Sequence, residues 1–525
     1  MGNTLLGFSL SYYYFLVFPI CVIGFYALRR YGQERQYTFV ALSSMFFLLM
    51  IDVRSFLILI TLVIVNYRLH HYLRGEKHRK YVLLAGVVFN LLPLVILKIT
   101  PGLMGGVEPR TLSFNVLLPI GLAFYALQQI TALVDIYKEP LLKMSFWSYC
   151  FYSFFFLTLI SGPIFRYKEA LSQYHKRLSK RKQWYLAVKG VSLFIVGLAK
   201  FALIASPISQ HLTVFFTGLT TIEGLQLTLT EGIYIIIGCL ISLYFSFSAF
   251  SDMAIGLAMC FGLQLPINFD SPLKASTPTQ YINTWHMSFI QFIRLYVFQP
   301  TFAVCKKLPI NNFEYKIVFA WSCAVFFSFF LTGAWHAPTL FMMVQSAIVA
   351  LLIVVTQLWL SSSSNITSHI SINKLASRLL THILIFVTAL FFFSPEIKVA
   401  TQVLNSVIMP TEISLSAYMA VINAYDLTNI MTFNGFFPNY AGFPMAWKDS
   451  LYLPSAGLSL AHLICAFWVA VTMPNTMQIF ELQQSRYRSA IDLRWRLSYM
   501  HIMLLSVMFY LSIDALGNGQ AFTYG

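Results

Sequence analysis

Residues 313–336 read FEYKIVFAWSCAVFFSFFLTGAWH, and after Lys316 no charged side chain interrupts them until His336 closes the run. A stretch of about 20 apolar residues is what a helix needs to cross a hydrocarbon core. Ala337 and Pro338 follow, and a second apolar run begins at once over 338–360. One ionisable imidazole therefore stands where two greasy segments meet. Its presence there needs a chemical reason.

The rest of the chain repeats the first half of that pattern. Further apolar runs occupy 8–28, 37–51, 55–67, 81–99, 112–134, 146–163, 185–206, 232–248, 379–393, 456–474 and 497–513. The 525 residues are 58% hydrophobic and 10% charged, and mean hydropathy is +0.70. A soluble globule of this length has no place for so much apolar surface, so lipid is the natural solvent. The reading is an all-α polytopic membrane protein with about 11 to 13 membrane-embedded helices, some of them re-entrant.

The net charge of +16 does not point to nucleic acid. The basic residues fall in short interhelical stretches: 29–35, 68–80, 166–182, Lys306–Lys307 and 486–496. Such loops belong on the cytoplasmic side, which leaves the uncharged N-terminus outside. No basic region precedes the first apolar run, so that run is expected to remain as an anchor. The seven cysteines lie singly without CxxC pairing and read as buried helix residues.

Threading the loops through the spans meets one conflict. Residues 146–163 would cross outward, yet the basic segment 166–182 requires the cytoplasm. A segment that enters and returns, turning at Gly162–Pro163, resolves it, since such broken backbone is tolerated where protein or a cavity covers it, and a different threading of the spans resolves it equally. Two stretches depart from apolar helix plus short loop. Residues 249–284 are only moderately apolar and hold three prolines and two aspartates, and 409–455 form a long, weakly charged segment expected outside. A single membrane domain over 1–525 is expected, with 249–340 as its catalytic core.

Eleven histidines are present. His70, His71, His78 and His175 belong to basic loops, His369 to a polar linker, and His211, His382, His462 and His501 read as satisfied helix histidines. His286 and His336 remain. Both follow a tryptophan, Trp285 and Trp335, both sit at the edge of an apolar helix, and both lie near chain breakers. Ionisable groups in membrane segments usually face an interior cavity. Desolvation keeps such an imidazole neutral and able to accept a proton, as general-base attack by a hydroxyl on a thioester requires. A proton relay in a transporter is the alternative, though neither paired mid-membrane charges nor inverted repeats accompany it. No HxxxH, HExxH or nearby Cys/Asp cluster points to a metal, and no GxSxG elbow is present. Trp285, Trp335, Asp252, Arg166, Lys200 and Asn268 are candidates for the lining of a substrate channel, and for Asp252, Arg166 and Lys200 membership of a structural ion pair is the favoured alternative. Asn268 and Asp270 are candidates to pin the segment leading into His286.

Several blocks then fall into a recognisable order. LLPIGLAFYALQQITALVDIYKE (117–139), LISGPIFRYKE (159–169), GLAKFALIAS (197–206), YFSFSAFSDMAIGLAMCFGLQLPINFDSP (244–272), the TWH and AWH histidines, and MPNTMQIF (473–480) follow one another. In these the chain resembles the membrane-bound O-acyltransferase family, in particular its bacterial alginate O-acetyltransferase-like branch. The resemblance covers most of the chain. It implies helices around a central funnel, transfer of an acyl group to a hydroxyl, His336 as the essential catalytic residue and His286 in the same funnel. It implies no bound cofactor, acetyl-CoA or another acyl thioester as cytoplasmic donor, and a polysaccharide acceptor outside. A separate extracytoplasmic SGNH-type transferase partner is implied as well, with the bacterial inner membrane as the location. A D-alanyl transferase of the teichoic-acid type, drawing on a carrier protein, is the enzymatic alternative. Departures occur at Asn283–Thr284, where the branch carries a basic pair, at Ser246 in place of Asp, and at Ser394 in place of Arg.

Overall fold

The computed structural model describes residues 18–517, apart from 76, 104–120, 160–161, 175, 177, 223, 337–339, 364–369, 411–453, 488–490 and 492. Nearly all of the expected outer segment 409–455 lies outside the described residues. The described residues form helices and turns, with no strand among them. The first half comprises α1 (Phe18–Ala27), α2 (Gln33–Ile51), α3 (Val53–Arg74), α4 (Arg79–Leu103), α5 (Leu122–Lys138), α6 (Phe146–Phe154), α7 (Phe156–Leu159) and α8 (Tyr167–Tyr174). The centre holds α9 (Lys180–Ala199), α10 (Ser206–Thr221), α11 (Leu229–Cys260), α12 (Pro278–Ile282), α13 (Met287–Ile293) and α14 (Gln299–Cys305). The last part holds α15 (Phe313–His336), α16 (Leu340–Ser363), α17 (Ile370–Phe393), α18 (Ile397–Ile408), α19 (Pro454–Thr472), α20 (Thr476–Ile479) and α21 (Tyr499–Gly517).

Six described helical stretches are long and apolar enough to cross a membrane: Val53–Arg74, Arg79–Ile96, Lys180–Thr221, Leu229–Cys260, Phe313–His336 and Leu375–Phe393. Four shorter apolar helices join them, Met342–Leu358, Ile397–Ile408, His462–Thr472 and Tyr499–Ile513. Their outer faces expose Ile23, Leu57, Leu84, Ile348, Ile383, Trp468 and Leu504, an apolar belt that only lipid would cover without cost. The chain is a multi-pass membrane protein.

Helix α11 is the axis of the bundle. Against it, α9 crosses so closely that a Cβ on Gly190 would lie 2.2 Å from the Gly256 carbonyl, and one on Gly256 2.4 Å from that of Gly190. Small residues let membrane helices approach backbone to backbone, and here two facing glycines leave no room for even a methyl group. The expected span at 185–206 does not stop. It passes through a π turn, Lys200–Ala205, into α10, and the turn takes up the irregularity that Pro207 would otherwise impose.

The segment 146–163 is broken, as its sequence implied. Two short helices, α6 and α7, separate at Phe155, and the described residues from Tyr149 to Leu159 are buried. At Gly162 a Cβ would fall 1.8 Å from the Leu157 carbonyl, so the chain doubles back on itself where only glycine fits. Two local expectations are corrected. His70 and His71 are not loop residues: α3 runs on to Arg74, and the His70 ring packs edge-on against Tyr149 at 4.8 Å. Cys465 is exposed, and Cys305 and Cys323 are only half-buried. None of the seven cysteines is joined in a disulfide.

Three of the basic stretches, 29–35, 68–80 and 166–182, gather at one end of the bundle. Arg29 donates to the Leu178 carbonyl at 3.1 Å, Arg74 to that of Leu142 at 3.0 Å, and Lys168 pairs with Glu139 at 2.6 Å. Gln173 donates to the Gln264 carbonyl at 2.9 Å, which ties the C-terminal end of α11 to the same face.

Candidate active site

His286 immediately precedes α13 in a left-handed backbone conformation, φ 42° and ψ 52°. That kink turns the chain from the 268–284 loop into α13 and aims the ring inward. The ring is 5% exposed. It meets Phe247 of α11 edge-on at 4.5 Å and stacks on Phe289 at 5.1 Å. His336 ends α15 on the other side of the same phenylalanine: its ring lies 6.2 Å from Phe289 and 5.5 Å from Phe392. Trp335 stacks on Phe289 at 5.0 Å, and Trp285 stacks on Tyr281 at 5.5 Å. Two motifs 50 positions apart thus share one aromatic cluster.

Both histidines and both tryptophans line a cavity of about 1220 Å³. Its walls come from α10, α11, the segment 278–290, the C-terminal end of α15, and α16 and α17. Apart from the imidazoles the polar groups are neutral. Ser209, Gln210, Thr213 and Thr217 lie along α10, Ser242 and Ser246 on α11, and Gln345 on α16. Gln345 donates from Nε2 to the Thr388 carbonyl at 3.0 Å, which leaves its Oε1 with no partner among the described residues. None of the described lining residues is Asp, Glu, Lys or Arg. Among the described residues no three His, Cys, Asp or Glu side chains gather in a way that holds a metal ion.

The other candidates stand behind the wall. Lys200 donates to Asp252 Oδ2 at 2.7 Å and to Ser248, and Thr476 donates to the same carboxylate oxygen at 2.7 Å. Neither Lys200 nor Asp252 lines the cavity; they form a charge pair between two long apolar helical stretches, where the sequence had disclosed none, and each satisfies the other where a lone charge is costly. Arg166 pairs with Glu169 near Asp135, which accepts from the Tyr296 hydroxyl at 2.8 Å; it too is away from the wall. Asn268 sits directly behind His286, with Oδ1 3.3 Å from Nδ1.

The loop that carries His286 is fixed by the late PNTMQ motif. Asn475 caps α20 in a reciprocal box with Gln478, and its Nδ2 donates to Asp270 Oδ1 at 3.1 Å and to Ser271 at 3.0 Å. Asp270 also receives Ser485 and the Arg486 amide, while Lys274 donates to the Met473 carbonyl at 2.8 Å. Apart from Ser246, marked only as a departure from the family pattern, the neutral wall residues carried no signal in the sequence. Serine and threonine in apolar helices commonly bond to the preceding turn, as Thr332 does to the Ser328 carbonyl, and nothing local marks those that face a cavity.

Known proteins share this arrangement of sequence. The chain is 24% identical over 442 residues to the peptidoglycan O-acetyltransferase of Helicobacter pylori, covering 78% of this chain and 81% of that protein. It is 28% identical over 249 residues to the probable alginate O-acetylase AlgI of Azotobacter vinelandii, 45% of this chain and 46% of the other. It is 24% identical over 266 residues to the teichoic acid D-alanyltransferase of Bacillus subtilis, 50% of this chain and 65% of the other. No family model matches the chain. Acyl transfer is the activity that the names of these relatives share, and in its ordered blocks the chain is similar to these membrane-bound O-acyltransferases.

Proposed function

We propose that this acyltransferase passes an acetyl group from a cytoplasmic thioester, acetyl-CoA, through the bacterial inner membrane for O-acetylation of an extracytoplasmic envelope glycan. The observation that carries the reading is the cavity: two imidazoles, aromatic rings and neutral hydroxyls enclose a space with no formal charge on its described walls. In that space the hydroxyl oxygen bonds to the acetyl carbonyl carbon while its proton passes to an imidazole. The C–S bond breaks, and the departing thiolate takes the proton up. His336 and His286 are the residues assigned to this chemistry. The first acceptor is a hydroxyl of a separate SGNH-type transferase, which completes the transfer to the glycan.

D-alanyl transfer is the second reading, favoured by the teichoic acid relatives. A D-alanyl thioester carries an ammonium group, and bringing a cation into a membrane cavity calls for a carboxylate partner. Asp252 is engaged by Lys200 and Thr476 instead. The test is made in cells lacking the gene and complemented with wild type or His336→Ala. Acetate and D-alanine are released from purified envelope glycans by base and quantified. Wild type is expected to restore acetate and the variant to leave it at the level of the deletion. Restored acetate with His336→Ala would remove that residue from catalysis, and D-alanine in place of acetate would favour the second reading.

A further inference from the structure

The hydrogen bonds around Asn268 have directions that two backbone amides decide. The Ser288 N–H, which can only donate, reaches Asn268 Oδ1 at 3.3 Å. The Ile164 N–H donates to Ser288 Oγ at 3.0 Å, so the Ser288 hydroxyl proton is free to turn to Asn268 Oδ1, at 2.6 Å. The Asn268 amide nitrogen points the other way and donates to Ser251 Oγ at 2.7 Å. The orientation of this carboxamide is therefore not arbitrary.

His286 Nδ1 is the third group on Asn268 Oδ1, at 3.3 Å. A carboxamide oxygen has lone pairs and no proton, so the hydrogen between them belongs to Nδ1. In a neutral imidazole one nitrogen donates and the other accepts, which leaves Nε2 with its lone pair on the opposite edge of the ring. Asn268, Ser288 and Ser251 are all buried. The backbone holds the pair from both sides, with Met287 N donating to the Asn268 carbonyl at 2.8 Å and Asp270 N to that of Thr284 at 3.0 Å.

We propose that Asn268 is a positioning residue that locks His286 in the Nδ1–H tautomer and presents a bare Nε2 to the cavity as proton acceptor for the attacking hydroxyl. The chemical role rests on the acyl-transfer reading above; the tautomer does not. The proton leaves the hydroxyl for Nε2 as oxygen bonds to the acyl carbon, and returns to the thiolate once the C–S bond has broken. Three separated blocks acquire one purpose in this network: SGPI supplies the Ile164 amide, INFD the carboxamide, and TWHMS the imidazole and Ser288.

The tautomer is read by solid-state NMR of protein labelled with ¹⁵N-histidine in lipid, with the His286 resonances identified by their loss in His286→Gln. A protonated Nδ1 and an unprotonated Nε2 are expected at neutral pH; a proton on Nε2 overturns the proposal, and this measurement needs no Asn268 variant to fold. In membranes supplied with acetyl-CoA, Asn268→Leu is expected to lower kcat on the order of 10²-fold with donor KM unchanged. Asn268→Asp keeps an acceptor against Nδ1 and is expected to retain most of kcat. Equal losses in the two variants, or a loss that appears in KM, overturn the positioning role. A wild type with the expected tautomer and no acetyl transfer would strike the functional reading and the acceptor role together, leaving only the geometry.

Discussion

Phe289 is the residue on which the two histidines converge, yet they meet it in different settings. His286 is enclosed at 5% exposure and bonded from behind, whereas His336 is exposed at the end of its helix. An enclosed, oriented imidazole loses little freedom when it accepts a proton. Removing His286 should therefore cost rate more than substrate affinity. In membranes supplied with acetyl-CoA, His286→Ala is expected to lower transfer by on the order of 10²-fold, with protein level and thermal stability close to wild type. Near-normal transfer would reduce the ring to packing. Both imidazoles were visible in the sequence because an ionisable group beside an apolar run is expensive and invites a question. Gln345 and Ser242 were not, because a neutral amide or hydroxyl there costs little and has many ordinary uses.

At the scale of elements, the ion pair between α10's leading π turn and α11 explains how that turn is held. Lys200 and Asp252 are 13% and 5% exposed in their side chains, 52 positions apart in the chain, and Thr476 brings a third element to the same carboxylate. Breaking a buried pair from one side leaves an uncompensated charge and costs about 3–5 kcal/mol, while replacing both partners by apolar residues can be neutral. Lys200→Met alone is thus expected to lower the thermal midpoint in detergent by several degrees, on the order of 5 °C, and Lys200→Met with Asp252→Leu to recover most of it. Additive losses in the double variant would show that the two residues do not act as a pair. Sequence reading marked both as candidates for a channel lining or for a structural ion pair. It had no means of matching them across 52 positions, so a channel lining and a structural pair looked alike. The end of the run at 206 came from hydropathy alone, and only the backbone shows that a π turn carries the helix past Pro207.

For the molecule as a whole, polarity of two kinds runs along one axis. The basic loops close one end, where Arg29, Gln173 and Gln264 tie α11 to its neighbours. The neutral polar groups Ser209, Gln210, Thr213 and Thr217 run along the cavity face of α10 toward the other end, at Thr221. The first feature was legible as positive stretches between apolar runs; the second depended on which face of α10 the bundle turns inward. If the basic end is cytoplasmic, a phosphate-bearing donor approaches over lysine and arginine, and a hydroxyl acceptor approaches along a lane of hydroxyls from the opposite side. Lys182 and Thr220 are exposed at the two ends of the Lys180–Thr221 helical run, so they report its direction. In a background with Cys305, Cys323 and Cys465 replaced by serine, Thr220→Cys is expected to react with a membrane-impermeant maleimide on intact spheroplasts. Lys182→Cys is expected to react only after the membrane is opened. The reverse pattern would place the basic end outside and remove the physical basis for a cytoplasmic donor. Labelling of both positions from outside would mean that the run does not cross, and the path of the acyl group would have to be drawn through the remaining helices.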